Sequence, residues 1–312
     1  MLVIRNTREF RIESPSIVTI GTFDGVHLGH QKILDRLAEI KARTGLLTVV
    51  LTFEPHPRKV LFPEQKDLKL ITLIEEKLDL LRASSVDVTV VYPFDLEFAH
   101  SSSAFYVEQI LVKQLQVKYL VIGHDHRFGH NRSGDYTTLL ACSKQFGFQL
   151  EEIPAQDIDS IAISSSKIRK AIEEGKPELA QAYSGHMYFI NALVIKGKQL
   201  GRQLGYPTAN LLLNDAEKIL PAKGIYLVGV EFEGKHHFGM MNVGTNPTTD
   251  TGNDIKLEVH IFDFNSDIYN KHLTIRFIKH LRDEKKFPDL ESLKAQLRKD
   301  EEDCMNLISA VK

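Results

Sequence analysis

Two histidines three residues apart sit in a run unusually rich in glycine: Gly21-Thr22-Phe23-Asp24-Gly25-Val26-His27-Leu28-Gly29-His30. Gly21, Gly25 and Gly29 let the backbone approach a bulky anion where a Cβ would collide with it. Unpaired N–H groups at a helix N-terminus carry the positive end of the dipole, which suits phosphate. Two imidazoles beside that anion can donate to the charge that builds up in phosphoryl or nucleotidyl transfer. A His-x-x-His zinc pair is the competing chemistry, but no cysteine or acidic cluster lies nearby to complete four ligands.

These residues need a strand, a turn and a helix start to hold them. Ile17 to Ile20 is a short apolar run that predicts a buried strand, and Ile33, Leu34, Leu37 and Ile40 recur at helical spacing within Gln31 to Thr44. His-x-Gly-His in that setting resembles the signature of the nucleotidyltransferase superfamily that includes class I tRNA synthetases, which implies chemistry at an ATP α-phosphate.

The chain beyond repeats the pattern. Leu46 to Phe53 predicts a strand ending in Glu54-Pro55-His56-Pro57, whose prolines give a rigid exit, and Thr72-Leu-Ile-Glu75 reads as a capping box for a helix toward Arg82. Strands follow at Asp87 to Tyr92, Lys118 to Ile122 and Gln149 to Ile153, with helices at Ser103 to Gln114 and Gly134 to Phe146. Such alternation predicts a parallel sheet with helices on both faces and ligands beyond the strand carboxyl ends. There His124, Asp125, His126 and His130 read as loop residues rather than a metal cluster, with Asp125 and Arg127 as substrate contacts. In Ile163-Ser164-Ser165-Ser166-Lys167-Ile168-Arg169 the serines can cap a helix, and Arg169 can bind phosphate bidentately.

Glu174-Gly175-Lys176-Pro177 breaks this pattern, and a short helix to Tyr183 bridges to a second region. Short strands then replace alternation: Tyr188 to Ile195, Gly224 to Glu233, Lys235 to Val243, Lys256 to Phe262 and His272 to Ile278 predict an antiparallel barrel. A helix from Asp289 to Ile308 would place Leu290, Leu293, Leu297, Met305 and Ile308 on its apolar side. Gly201 to Asn210 reads as a turn, in which Thr208 and Asn210 offer the neutral oxygens that Mg²⁺ accepts beside nucleotide phosphates. Alternation puts Glu258, His260 and Phe262 on one face, and a carboxylate turned into a barrel needs a partner or a task.

The whole chain sets bounds on function. Its 312 residues, 43% hydrophobic and 26% charged, suffice for two cores of ordinary globular composition. A net charge of −2, with no basic stripe interleaved with aromatics, argues against a nucleic-acid partner. Cys142 and Cys304 stand in no metal spacing and no disulfide framework, and no stretch approaches membrane-spanning length. A cytoplasmic enzyme with no membrane partner is the expectation, and a homo-oligomer is left open.

Together the two halves resemble the bifunctional bacterial riboflavin kinase/FAD synthetase family. The resemblance rests on the glycine run at 21–30, Thr52-Phe-Glu-Pro-His-Pro57, Gly123-His-Asp-His-Arg-Phe-Gly129 and Ile163 to Arg169 in the first half. In the second it rests on Leu204-Gly-Tyr-Pro-Thr-Ala-Asn210, Asn242-Val-Gly-Thr-Asn-Pro-Thr248, Glu258 to Phe264 and Leu281-Arg-Asp-Glu-Lys-Lys-Phe287. It implies a Rossmann-like adenylyltransferase domain over 1–184 with a parallel sheet, and an antiparallel riboflavin-kinase barrel with a terminal helix over 185–312. Riboflavin would be phosphorylated by ATP to FMN, and FMN adenylylated by ATP to FAD, with Mg²⁺ as cofactor. His27, His30 and Arg169 would be catalytic in the first reaction centre and Glu258 the general base in the second. Gly21, Phe23, Asp24, Gly29, Ser164, Ser165 and Ser166 would bind ATP phosphates in one, and Gly201, Thr208 and Asn210 in the other, with Thr208 and Asn210 on Mg²⁺. Phe53, Pro55, Asp125, Arg127 and Phe128 would meet flavin in the first domain, and Arg282 and Phe287 in the second. Three positions depart from the family pattern: His126 stands for a usual phenylalanine, Ser166 for threonine and Asn270 for a hairpin glycine. A kinase with an inactive adenylyltransferase half and a nucleotide- or RNA-binding protein on the same fold are the rival readings.

Overall fold

Ser16, Ile17, Val18, Thr19 and Ile20 are all buried, so this run forms a central strand covered on both faces. The structure, a computed structural model, describes residues 1–64, 68–124, 127–129, 134–154, 163–197, 201, 204–213, 215–245 and 255–311. The strands β1 (Leu2–Arg5), β2 (Ser16–Ile20), β3 (Leu47–Glu54), β4 (Val88–Pro93), β5 (Val117–Gly123) and β6 (Gln149–Ile153) form one sheet in the order β1-β4-β3-β2-β5-β6. Every pairing in it is parallel. Helix α1 (Leu28–Thr44) lays Ile33, Leu37 and Ile40 against Ile17 and Val121. The other face packs Val18, Leu51, Val90 and Leu120 against Val107, Ile110 and Leu111. Because β3 and β5 flank β2 on opposite sides, the chain reverses there, and the crevice beyond the carboxyl end of β2 is the place where such sheets bind ligands.

Several local expectations change. β1 is an edge strand too short to show a period in the sequence. Helices α2 (Pro57–Leu61), α3 (Ile74–Arg82), α4 (Leu96–Ala99) and α5 (Ser103–Phe105) precede a π-helical segment over Tyr106–Gln114, closed where Leu115 N–H donates to the Ile110 carbonyl at 2.9 Å. The predicted capping box shifts by one residue. The Leu73 N–H donates to the Glu76 carboxylate at 2.9 Å, while the Thr72 hydroxyl accepts from Gly25 N–H at 3.0 Å. Helix α6 (Tyr136–Phe146) follows, capped by Asp135.

The chain divides into two compact units, Met1–Ser165 and Ser166–Lys312. In the second, β7 (Phe189–Ile195), β8 (Ala209–Leu213), β9 (Gly224–Phe232), β10 (Lys235–Thr245), β11 (Ile255–Ile261) and β12 (His272–Arg282) close a barrel in the order β10-β11-β8-β7-β12-β9. All of its pairings are antiparallel. Helices α7 (Ser165–Glu173) and α8 (Pro177–Ser184) pack with this unit. Glu178 pairs with Lys279 of β12 at 2.7 Å, and Ala222 N–H donates to the Ile172 carbonyl at 3.3 Å. Asn270 takes φ 59°, the left-handed turn a glycine would otherwise supply.

β8 begins in the last two residues of the stretch read as a turn and runs on to Leu213. Its neighbour β11 alternates as expected, but Leu257, Val259 and Ile261 are its buried residues while Glu258 and His260 are half-buried. Glu258 therefore faces outward from the barrel, correcting the inward orientation. The terminal helix, α9 (Leu290–Val311), packs Leu297, Cys304, Leu307 and Ile308 against Ile225, Leu227, Met240 and Phe262. Leu290 and Met305, expected on its apolar side, are exposed.

Candidate functional site

In the first unit the glycine-rich run links β2 to α1. Gly25 takes φ 84°, and Phe23 and Val26 are also left-handed at 48° and 37°, an unusual density of strained positions. The bend is held from outside. The Asp24 carboxylate, 1% exposed, accepts from the Ile71 and Thr72 amides at 3.0 Å each. Ser165 Oγ donates to the Asp24 carbonyl at 3.0 Å, bringing the serine segment to the turn.

His27 is the N-cap of α1, and the two histidines cap each other. His30 N–H donates to His27 Nδ1 at 3.4 Å, and His27 N–H donates to His30 Nδ1 at 3.3 Å. Their rings stack with centroids 3.7 Å apart, and Phe23 covers His30 at 4.7 Å. An Nδ1 that accepts carries no proton, so each neutral ring is protonated at Nε2. Burial first, then His27 and Lys77, holds the His30 imidazole well below its ordinary range. The first turn of α1 contains no acidic residue, so its positive dipole end is not neutralised locally.

Beyond β3 the Glu54–Pro55 peptide is cis, and His56 caps α2, its Nδ1 accepting from Arg58 N–H at 3.2 Å. Phe53 and Phe128 belong to one aromatic wall, joined through Phe98 and Tyr106 by centroid distances of 6.0, 6.1 and 5.2 Å. The Tyr106 hydroxyl in that wall is buried without a hydrogen-bond partner among the described residues, and burial pushes its pKa up. It escaped the sequence reading because only the fold aims it at Phe128. Arg127 pairs with Asp135 at 3.3 Å. Asp125, His126 and His130 lie outside the described residues.

In the second unit the strand register assembles a polar row. Asn210 of β8 lies opposite Glu258 of β11, which lies opposite Asn242 of β10. Directly opposed residues point to one side of a sheet, so an amide, a carboxylate and an amide stand side by side on the outer face. Glu258 pairs with Lys256 at 2.8 Å. The Asn242 Oδ1 is buried and unpartnered among the described residues; its segment carries part of the family resemblance, but its place beside Glu258 depends on register.

Glycines let the backbone pack closely around Asn210 and the Thr208 loop. A Cβ on Gly197 would lie 2.1 Å from the Asn210 amide, and one on Gly201 would lie 2.1 Å from the Tyr206 carbonyl and 3.4 Å from Thr208 Oγ1. His260 Nδ1 lies 2.7 Å from the Pro207 carbonyl, tying β11 to the Thr208 loop. The Tyr206 hydroxyl donates to Glu301 at 2.8 Å, and burial followed by Glu301 pushes its pKa up to about 12. Arg282, expected near flavin, donates from Nε and Nη2 to Asp300 of α9 at 2.8 and 2.6 Å and stacks 5.9 Å from Phe287. Ser164 and Arg169 are half-buried and Ser166 exposed. Among the described residues no group of three or more His, Cys, Asp or Glu could hold a metal, and no helix is long and apolar enough to cross a membrane.

A parallel sheet whose glycine-rich turn opens an unneutralised helix start, with a closed barrel bearing a carboxylate between two amides, points to a two-module transferase acting on phosphates. Known proteins agree. Residues 9–167 match the FAD synthetase family model and residues 184–308 the riboflavin kinase model. A bifunctional riboflavin kinase/FMN adenylyltransferase of Haemophilus influenzae is 39% identical, with 94% of each chain covered. Its namesake in Escherichia coli K12 is 37% identical, covering 91% of this chain and 90% of that one. A solved structure described as a macrolide-efflux protein from Streptococcus pneumoniae superposes with TM-score 0.88 at 32% identity over 98% of both chains. The chain belongs to the bifunctional riboflavin kinase/FMN adenylyltransferase family, and it is an enzyme with both activities.

Proposed function

We propose that FMN is made on the outer face of the barrel and adenylylated at the β2–α1 turn. On the barrel, Glu258 takes the proton from the ribityl hydroxyl of riboflavin as that oxygen attacks the γ-phosphate of ATP, releasing ADP. Thr208 and Asn210 would hold Mg²⁺ and phosphate oxygens, supplying the hard oxygens this ion accepts, and Asn242 flanks Glu258 on the side opposite Asn210. The ion would neutralise phosphate charge; Gly197 and Gly201 let the backbone lie close against Asn210 and Tyr206. Arg282 and Phe287 border the flavin.

At the turn, a phosphate oxygen of FMN attacks the α-phosphate of a second ATP and pyrophosphate leaves. The Nε2–H edges of His27 and His30 donate to the charged phosphorus centre, with Gly21, Phe23, Asp24 and Gly29 shaping the anion's seat. Ser164, Ser165, Ser166 and Arg169 bind the polyphosphate. The wall of Phe53 and Phe128, with Pro55, Asp125 and Arg127 at its margin, receives the isoalloxazine. Positioning and charge neutralisation suffice for such transfers. The catalytic modules are 1–184 and 185–312, the location is the cytoplasm, nucleic acid is not a partner, and self-association is compatible with either site.

The observation that carries this reading is the mutual cap of His27 and His30 through Nδ1, which leaves the proton of each neutral ring on Nε2. Incubation with riboflavin, ATP and Mg²⁺, followed by chromatography, should yield FMN and then FAD. Absence of FAD when FMN is supplied would refute the assignment of the turn.

A further inference from the structure

Lys77 of α3 is a buried cation for which the chemistry above has no use. It is 6% exposed, a burial that lysine rarely undergoes without a partner. Its Nζ donates to Thr52 Oγ1 at 3.4 Å, and that hydroxyl donates to the Thr22 carbonyl at 3.1 Å, inside the glycine-rich run. The same α3 entry supplies the Ile71 and Thr72 amides that hold Asp24. One ammonium thus connects β3, α3 and the turn that carries both histidines.

We infer that Lys77 is a positioning residue for adenylyl transfer: its buried ammonium, tied through Thr52 to Thr22, fixes the glycine-rich turn and keeps the His27–His30 pair neutral and protonated at Nε2. The inference rests on the proposed role of that pair as phosphate donors. Protonating either Nδ1 would remove the acceptor that caps its neighbour's N–H, so the cap survives only while both rings are neutral. The groups that act on His30 and Lys77 have opposing effects. His27 and Lys77 both disfavour a charge on His30. Burial pushes the Lys77 ammonium down, whereas the carboxylates of Asp24 and of Glu54, at the end of β3, push it back up. The neighbouring Glu76 carboxylate is turned to the Leu73 N–H.

The test compares Lys77→Met and Lys77→Arg in the full chain, following FAD formation from FMN and ATP across pH. Losing the positive charge lets His30 protonate more easily, so its pKa rises. Lys77→Met should lower kcat about tenfold or more and move the acid limb of the profile upward by about half a unit or more. Lys77→Arg should keep the limb near the wild-type position. Riboflavin phosphorylation by the same samples should be unchanged. A folded Lys77→Met chain with the wild-type rate and acid limb would overturn the inference. If Lys77→Met does not fold, ¹⁵N NMR of the wild-type imidazoles decides: both Nδ1 atoms should be unprotonated at neutral pH and gain a proton only along the acid limb, and a proton on either at neutral pH would overturn it. Normal FAD synthesis by His30→Ala would instead refute the parent reading, while the tautomers would still report on the cap.

Discussion

At the β2–α1 turn the proposed functional groups are backbone amides and two imidazoles locked to each other, and the chain is bent there through left-handed positions. On the barrel the proposed groups are side chains of paired strands, aligned by register, with glycines letting the backbone pack close to them. The first arrangement depends on a particular tautomer and a particular bend. The second depends on hydrogen-bonded pairing of β8, β11 and β10, which persists when one side chain is changed. The turn is therefore the region where small local changes should abolish function, and the barrel the region where function should fail one group at a time.

The largest expected effect is at Glu258. Glutamine keeps the shape and one acceptor but cannot take a proton, so Glu258→Gln should slow FMN formation by roughly 100-fold or more. Conversion of supplied FMN to FAD should be untouched, and near-normal FMN production by a folded variant would reduce Glu258 to the ion-pair partner of Lys256. At the turn, His27→Ala or His30→Ala each removes a donor and the partner's cap, and FAD formation should fall about 100-fold while FMN accumulates. Because the two caps are reciprocal, the double variant should cost little more than either single one; additive losses measured in a double-mutant cycle would show that the rings act separately.

Stability separates the units too. Asp300, 2% exposed, holds Arg282 through two hydrogen bonds, whereas Arg36 and Glu151 in the first unit pair with side chains 32% and 38% exposed. Asp300→Ala should cost about 3 kcal/mol in denaturant unfolding of the barrel unit, and Glu151→Ala no more than about 1 kcal/mol. Equal losses would show that burial does not distinguish these pairs. A smaller effect is expected at Asp87. Burial raises its pKa, yet hydrogen bonds from Lys41 and Thr48 outweigh that and hold the carboxyl below its ordinary value. Its stabilisation is complete above the ordinary carboxylate range and is lost as pH falls through the folded pKa. Asp87→Asn should thus cost about 1 kcal/mol near neutrality, and the gap from wild type should close in acid; a constant gap would refute the linkage.

What the sequence made legible follows the same divide. The parallel sheet was readable because its buried strands are continuous apolar runs, and the histidine turn because glycines and strand–helix periods mark it. β8 was not, since Gly, Pro and Thr before Ala209 read as a turn and Asn210 breaks the apolar run. Asn242 and Tyr106 were missed because cross-strand register and the aim of a ring depend on distant partners. The outward face of Glu258 was misjudged because alternation fixes which residues share a side but not which side is inner. Lys77 carries no signal in the sequence, because only the fold buries it against Thr52.

The central claim is that two self-sufficient sites share one chain and communicate through FMN. Mixing Glu258→Gln with His30→Ala in riboflavin, ATP and Mg²⁺ tests it most directly. Each variant alone should make little or no FAD, since one lacks FMN and the other cannot adenylylate it. Together they should restore FAD synthesis toward the wild-type level as FMN made by one is used by the other. Folded, individually verified variants that fail to complement would contradict the account.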